Sequence, residues 1–301
     1  KSRTDQKILS YDVAKLILKA KPVWLTSLQG VGEIIPLHQG LFDLVVFDEA
    51  TECDIATAIP LMYRAKRVVI IGDAHQSFYV PQLSRAQDRD LMQVLELPVK
   101  QMSRYSQSQT SLFDSGTRVH NVAKSFFKNQ HRSAPQIVNY VSENFYNGKL
   151  KPVSDLKNLK APKNFKPGIT WTDVKPFVAL ETDNINRSEA LAIVRHLKVL
   201  LVEGKYEGEV GFVSPFQAQV KELERLVTKE IPREFLAKAK LKAGTINSLQ
   251  CGERDLILFS PTVTSASPTS AVEFVQRDFL RLSVPISKAK AVVHIFGDLD
   301  F

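Results

Sequence analysis

An α/β architecture, with parallel sheets flanked by helices, is predicted for this chain from three observations. Short, mostly apolar runs recur and end in acids or hydroxyls: residues 44–47 run into Asp48-Glu49, 68–71 into Gly72-Asp73, and 291–296 into Gly297-Asp298. Segments of helical apolar spacing separate them. The alternation comes in two sets, divided near residues 115–121, and strand–helix alternation is the signature of parallel sheets covered on both sides.

The elements follow in order. Residues 22–27 read as a strand ending in Thr26 and Ser27. Residues 44–47, four apolar side chains in succession, read as a strand buried on both faces. A helix is expected over 55–62 and a third strand over 67–73. In the second set, a helix over 136–145 is followed by amphipathic helices over 191–202 and 217–227. Strands are expected over 209–214, 243–246, 255–259 and 291–297. Trp24 and Trp171 lie in strand-like segments and are expected in the core. The polar run from Arg104 to Phe113 reads as a connector, suited to a hinge.

With 301 residues, 44% of them hydrophobic, the chain is long enough for two cores. Two cysteines, Cys53 and Cys251, make neither a disulfide framework nor a zinc site, which points to a reducing, intracellular setting: cytoplasmic, or nuclear in a eukaryote. The histidines show no ligand spacing, so no structural metal is expected. No apolar run reaches membrane-spanning length, and no membrane association is expected. The net charge of +8 resides in one stretch: residues 116–170 hold ten Lys/Arg against two acids, and the remainder balances. A local basic excess is the footprint of a polyanion partner. For the lysines of 149–166, among Pro and Asn, a solvated connecting segment is the competing explanation.

The chemistry begins at Asp48-Glu49. Carboxyl ends of strands are where open α/β sheets bind ligands. Two adjacent acids there need compensation, and a nucleotide-bound magnesium ion with its water shell would provide it. One acid would orient the metal and the next the attacking water. Arg132 stands just before a predicted helix, where a cation opposes the helix dipole. A guanidinium so placed is better explained by bidentate contact with a phosphate. Gln76 could bond a phosphate or water, or cap a turn. Phe78, in a loop after the third strand, could stack on a base.

Together these clusters resemble the motifs of superfamily 1 helicases, the branch with Upf1-like and Dna2-like enzymes and its bacterial AAA-domain members. Residues 42–51 resemble the Walker B segment, 72–76 motif III, and His131-Arg132-Ser133 with Phe145–Leu150 motif IV. Residues 211–219 resemble the family's GVVSPYRAQ, 245–255 motif V, and 283–290 motif VI. The resemblance implies two RecA-like P-loop NTPase domains, the first (1–115) incomplete and the second spanning 116–301, with ATP and magnesium in the cleft and single-stranded DNA or RNA across the top. It implies that Asp48 holds magnesium through water, Glu49 activates the hydrolytic water, and Gln76 senses the γ-phosphate. Arg132 is then an arginine finger, and Lys288 occupies the second finger's position. His131, Gly252 and Glu253 form the rest of the nucleotide set, with Glu253 near the ribose. Thr26, Ser27, Phe78, Ser214, Pro215 and Thr245 line the nucleic-acid path. A fused or associated nuclease domain is compatible with the family.

The chain also departs from that pattern. No Gly-x-x-x-x-Gly-Lys-Ser/Thr loop is present: the two Gly-Lys pairs, Gly148-Lys149 and Gly204-Lys205, are preceded five residues earlier by Glu143 and Val199. The expectation is that the chain starts downstream of that loop and alone binds ATP poorly. Lys288 replaces an arginine, Asn247 an aspartate, Cys251 a glycine and His131 an aromatic residue. Two functions are therefore weighed: part of an ATP-dependent helicase or translocase, or a catalytically degenerate module that binds nucleic acid or a protein partner.

Overall fold

A computed structural model describes residues 8–75, 81–98, 106–175, 184–246, 252–265, 267–276 and 279–300. The chain forms two compact units, Lys1–Lys124 and Ser125–Phe301.

In the first unit, local chemistry sets the helix starts. Ser10 caps Tyr11–Ala20, and Asp54 caps Ile55–Tyr63 through Thr57 N at 2.8 Å. Capping boxes open Arg85–Val94 (Ser84 with Gln87) and Leu112–Thr117 (Ser111 with Asp114). Strands β1 (Val45–Phe47) and β2 (Val68–Ile70) pair in parallel, Val45 opposite Val68. Val45 and Phe47 join Val31, Ile35, Ala50, Ala58, Leu61 and Leu112 in a core. The other face is open: Val46 is 51% exposed, and Val68 and Val69 are exposed as well. The expectation of a strand buried on both faces is thus corrected, because among the described residues helices cover one face only. Residues 22–27 form no strand either. Leu25 is 97% exposed, having no partner strand among the described residues to order it. Arg64, buried at the end of Ile55–Tyr63, donates to the carbonyls of Ile35, Pro36 and Pro60, which ties that helix to the preceding turn.

The connector after residue 105 is polar but not loose. Ser106, Ser108, Thr110 and Ser111 are buried. The Ser106 hydroxyl (2.7 Å) and Ser108 N (2.9 Å) donate to the buried Asp88 carboxylate, and these bonds, opposing the cost of burial, hold the Asp88 carboxyl below its ordinary range. Leu112 N and Phe113 N then donate to the carbonyls of Cys53 and Ala50. The connector is therefore fastened to the loop that follows Asp48-Glu49. Arg104 lies outside the described residues.

The second unit is built on five parallel strands in the order β5-β9-β8-β6-β7: β5 Gly168–Asp173, β6 Val210–Ser214, β7 Lys242–Thr245, β8 Arg254–Phe259 and β9 Ala289–Gly297. Two short strands, β3 (Asn129–Gln130) and β4 (Lys151–Pro152), pair beside it. Here the sheet is covered on both faces. Leu256, Leu258, Val292 and Phe296 pack with helices Arg187–Lys198 and Gln217–Glu230. Ile257, Phe259, Val293 and Ile295 pack with Pro135–Phe145 and with Val284 and Ile286 of Phe279–Ser287. Alternate residues of one strand feed opposite cores, as period-2 geometry requires. Trp171, on the edge strand β5, is 43% exposed rather than in the core, and its indole N–H donates to Gly297 O at 2.9 Å. No described helix is long and apolar enough to cross a membrane.

Two histidines that showed no pattern in sequence meet in this core. The rings of His196 and His294 stack at 5.0 Å, with Phe165 edge-on to both. The Thr170 and Thr172 hydroxyls flank the two ring nitrogens of His294 at 2.6 and 2.8 Å. Burial, aided by the charge of His196, pushes His294 down to about 4. The unfolded chain therefore takes up this proton first, so the contribution is complete above the ordinary histidine pKa and is lost as pH falls toward 4. The predicted loss is about 2–3 kcal/mol between pH 7.5 and 4.5. Denaturant titrations of wild type and His294→Gln at both pH values check it, since the variant's acid-side slope should be flatter by that amount.

Candidate functional site

In the first unit, the acids lie at the carboxyl end of β1. Asp48 and Glu49 are both exposed, and Asp48 Oδ1 accepts Glu49 N at 3.1 Å. Glu49 has φ 51°, a left-handed conformation that costs a residue with a side chain roughly 1 kcal/mol or more. The turn it makes is held on both sides. Ile71 N donates to Phe47 O and Ala50 N to Ile71 O, each at 2.8 Å, while Glu52 N donates to Glu49 O at 2.9 Å. Gly72 is required by close approach, for a Cβ there would lie 2.7 Å from the Phe113 ring. Burial, then the charges of Glu52, Asp54, Glu49 and Asp48, push the Cys53 thiol up. Among the described residues no three acids, histidines or cysteines converge as a metal site, and Asp54 is engaged by Thr57, so Asp48 and Glu49 are the acids here that fit a magnesium ion held through its water shell. Gln76 and Phe78 lie outside the described residues.

Thr26 and Ser27 sit in an exposed loop, not at a strand tip. Thr26 Oγ1 donates to Ser27 O at 3.2 Å, and Ser27 Oγ accepts Gly30 N at 3.1 Å, so both hydroxyls take part in shaping the turn.

In the second unit, the expected residues separate to opposite ends of the sheet. At the carboxyl ends stand Ser214, Pro215 and Thr245. Pro215 and Thr245 are half-buried. Ser214 is fully buried, its hydroxyl 2.8 Å from Thr262 Oγ1 and accepting Phe216 N at 3.2 Å. Its hydroxyl is thus bonded within the loops that follow β6 and β8. Around it lies a polar network missed in the sequence. Asn186 caps Arg187–Lys198 and donates to Glu189 Oε1 at 2.9 Å. Ser260 Oγ and Thr262 N donate to Glu189 Oε2, the latter at 2.9 Å. Gln219 joins through Ser260 Oγ and the Asn186 backbone. Burial pushes the Glu189 carboxyl up to about 8 against the pull of these donors. Thr262 is also left-handed, at φ 72°. The Asn-x-x-Glu spacing before a helix was the available signal. The network sits between β6 and β8, where the strand order reverses, the place at which such sheets leave a crevice.

At the amino ends of β7, β8 and β9 the chemistry is ionic. Arg132 Nε lies 2.5 Å from Glu253 Oε1, and Lys290 Nζ lies 3.9 Å from Glu253 Oε2. Lys240 and Arg254 approach Glu209 at 2.6 and 3.7 Å. The hydrogen bond from Lys240 holds the Glu209 carboxyl below its usual range. Gly252 is buried, with Lys242 Nζ 3.5 Å and Arg254 Nη1 3.7 Å from where its Cβ would be. The Gln130 side chain accepts both Arg132 N and Ser133 N at 2.9 Å, a brace that sequence reading gave no role. His131 is exposed. Lys288, expected as a finger, is buried to 7% relative exposure. Arg132, Gly252 and Glu253 are therefore brought to the same end of the sheet, whereas Ser214, Pro215 and Thr245 are gathered at the other.

If the left-handed turn at Glu49 is strained, relieving it should stabilise the fold. Glu49→Gly is predicted to raise stability by about 0.5–1 kcal/mol, the strain relief exceeding glycine's added unfolded-state entropy. Denaturant unfolding of Glu49→Gly beside Glu49→Gln, which keeps the strain, checks this, and equal stabilities would refute it.

Comparison with known proteins adds the family. Two AAA domain models match, one over residues 2–76 and one over residues 108–300. Helicase sen1 of Schizosaccharomyces pombe is 25% identical over 97% of this chain, and Helicase SEN1 of Saccharomyces cerevisiae 26% over 93%. An uncharacterized ATP-dependent helicase of Mycoplasma genitalium is 23% identical over 94%. The chain spans 17%, 12% and 25% of the length of these relatives. Among solved structures, the PRRSV helicase matches 96% of this chain and 45% of its own at 12% identity, with a TM-score of 0.41. The chain belongs to the AAA-domain family of superfamily 1 helicases, in the Upf1-like branch.

Proposed function

We propose that this chain is part of an ATP-dependent helicase or translocase that moves on single-stranded DNA or RNA. The observation carrying the reading is the Asp48-Glu49 pair, exposed at the carboxyl end of a parallel strand on a backbone strained at Glu49. Strain of that kind persists where a side chain is needed in one place. When bound, magnesium would neutralise and polarise the phosphates of ATP. Asp48 would hold that ion through its waters. Glu49 would orient the attacking water and accept its proton, with Gln76 sensing the γ-phosphate. From the second unit, Arg132 would stabilise charge on the transferred phosphoryl group, a contact for which the guanidinium fork is suited. Gly252 would allow close backbone approach beside Glu253. At the other end of the sheet, Pro215, Thr245 and the Thr262 loop would meet the strand's phosphates, together with Thr26, Ser27 and Phe78. On this reading residues 1–301 alone bind ATP poorly, because they include no glycine-rich phosphate loop.

A second reading, a nucleic-acid- or partner-binding module without productive hydrolysis, is favoured by the burial of Lys288 and by the internal bonding of the Ser214 hydroxyl. Both weaken sites that the family pattern assigns.

One experiment separates the two. Full-length protein should hydrolyse ATP faster when single-stranded nucleic acid is added, and Glu49→Gln should lower that rate at least 100-fold while ATP still binds. Strand binding should weaken steeply with salt, as backbone contacts require. Salt-sensitive binding without hydrolysis would favour the module.

A further inference from the structure

Lys290 has no role in the reading above, yet its ammonium faces Glu253, a member of the nucleotide set, at 3.9 Å. The segment carrying Arg132 is docked on it directly, since Ala134 N donates to Lys290 O at 2.7 Å. Arg132 is itself braced by Gln130, so the two cationic residues are fixed on one backbone frame. Their side chains converge on opposite oxygens of one carboxylate, Glu253, at 2.5 and 3.9 Å. All three side chains are reachable from solvent, at 35% (Arg132), 34% (Lys290) and 41% (Glu253) relative exposure. Lys288 is buried to 7%, and its backbone is engaged on both sides, with its N donating to Val284 O and its O accepting from Arg254 N.

Two partly exposed cations aimed at one oxyanion mark a place where a phosphate oxygen can sit. Exposed ion pairs are weak, so a phosphate of higher charge can displace the Glu253 carboxylate. At 3.9 Å the Lys290 ammonium is beyond hydrogen-bond distance from Glu253, so that partner does not use its donors. We propose that Lys290 is the second phosphate-binding cation of this site, acting beside Arg132 on the terminal phosphate of a nucleoside triphosphate, with Glu253 holding both cations in place until the phosphate arrives. This rests on the nucleotide reading above but not on hydrolysis.

The test compares binding of ATPγS and ADP to full-length wild type, Lys290→Met and Lys290→Arg by titration calorimetry, with circular dichroism to confirm folding. A cation on the terminal phosphate predicts that Lys290→Met weakens ATPγS at least tenfold and ADP less than threefold, and that Lys290→Arg restores ATPγS binding. A merely structural lysine would weaken both nucleotides together. Unchanged ATPγS binding in folded Lys290→Met overturns the assignment, as does loss of discrimination in Lys288→Met alone. If wild type shows the Lys290-dependent preference but never hydrolyses ATP, the assignment stands and the motor reading falls. If wild type binds neither nucleotide, both fall.

Discussion

The parallel sheet of the second unit, buried on both faces, is the constraint from which the rest of that unit follows. With β6, β8 and β9 filling opposite cores through alternate residues, neither face is available for chemistry. Polar function is left to the two strand ends, and parallelism gives all strands the same ends. The amino ends carry charge: Arg132, Glu253, Lys290, Arg254 and Glu209. The carboxyl ends carry neutral donors and acceptors arranged around Glu189. A chain with mixed strand directions would have interleaved these two chemistries. Here sequence neighbours part company, so that Thr245 and Glu253, only eight positions apart, serve opposite ends of the sheet.

Glu189 and Glu253 show why the ends behave differently. Glu189 is fully buried and keeps its place through three donors, from Asn186, Ser260 and Thr262. Removing one donor would leave a buried oxygen unpaired, at a cost of about 1–3 kcal/mol. Such a group belongs to the scaffold. Glu253 is 41% exposed and balanced by cations, in a setting where an ion pair is worth about 0–1 kcal/mol. It can exchange its partners with little loss. The carboxyl-end network is therefore fixed scaffold, and the amino-end ion pairs remain open to competition from another anion.

Much of this was legible in the sequence because periodicity and short motifs report local structure. The strands over 209–214, 243–246, 255–259 and 291–297 appear within a residue or two, since buried parallel strands are apolar runs with sharp polar ends. The edge strand β5 was legible only as a strand-like segment around Trp171, and what misled was its place: Thr170, Trp171 and Thr172 lie on an edge strand, so the tryptophan is half exposed instead of in the core. Residues 22–27 failed in the opposite direction, because an apolar run becomes a strand only where a neighbour offers hydrogen bonds. Asp48, Glu49 and Arg132 could be picked out from their positions at element ends. The difference between Lys288 and Lys290 could not. It lies in burial, with Lys288 at 7% and the Lys290 side chain at 34% relative exposure, and tertiary packing alone decides that. The histidine pair was equally hidden, since His196 and His294 are brought together only by a helix lying across β9.

Two left-handed residues just past the carboxyl ends of strands complete the physical picture. Glu49 lies two positions past β1 and Thr262 three past β8, and each turns the chain sharply off its strand. Glycine would make either turn without strain, and for a β-branched residue such as threonine a positive φ is a marked outlier. Strain carried by a residue that could have been glycine implies that its side chain is used. For Thr262 the use is visible: its hydroxyl meets Ser214 while its amide meets Glu189, joining β6, β8 and the helix behind them. For Glu49 the turn is held from both sides by backbone bonds to Phe47, Ile71 and Glu52, more support than a casual loop receives. Those bonds fix where the Glu49 side chain leaves the backbone, beside Asp48, and that placement is what the proposed water-orienting role requires.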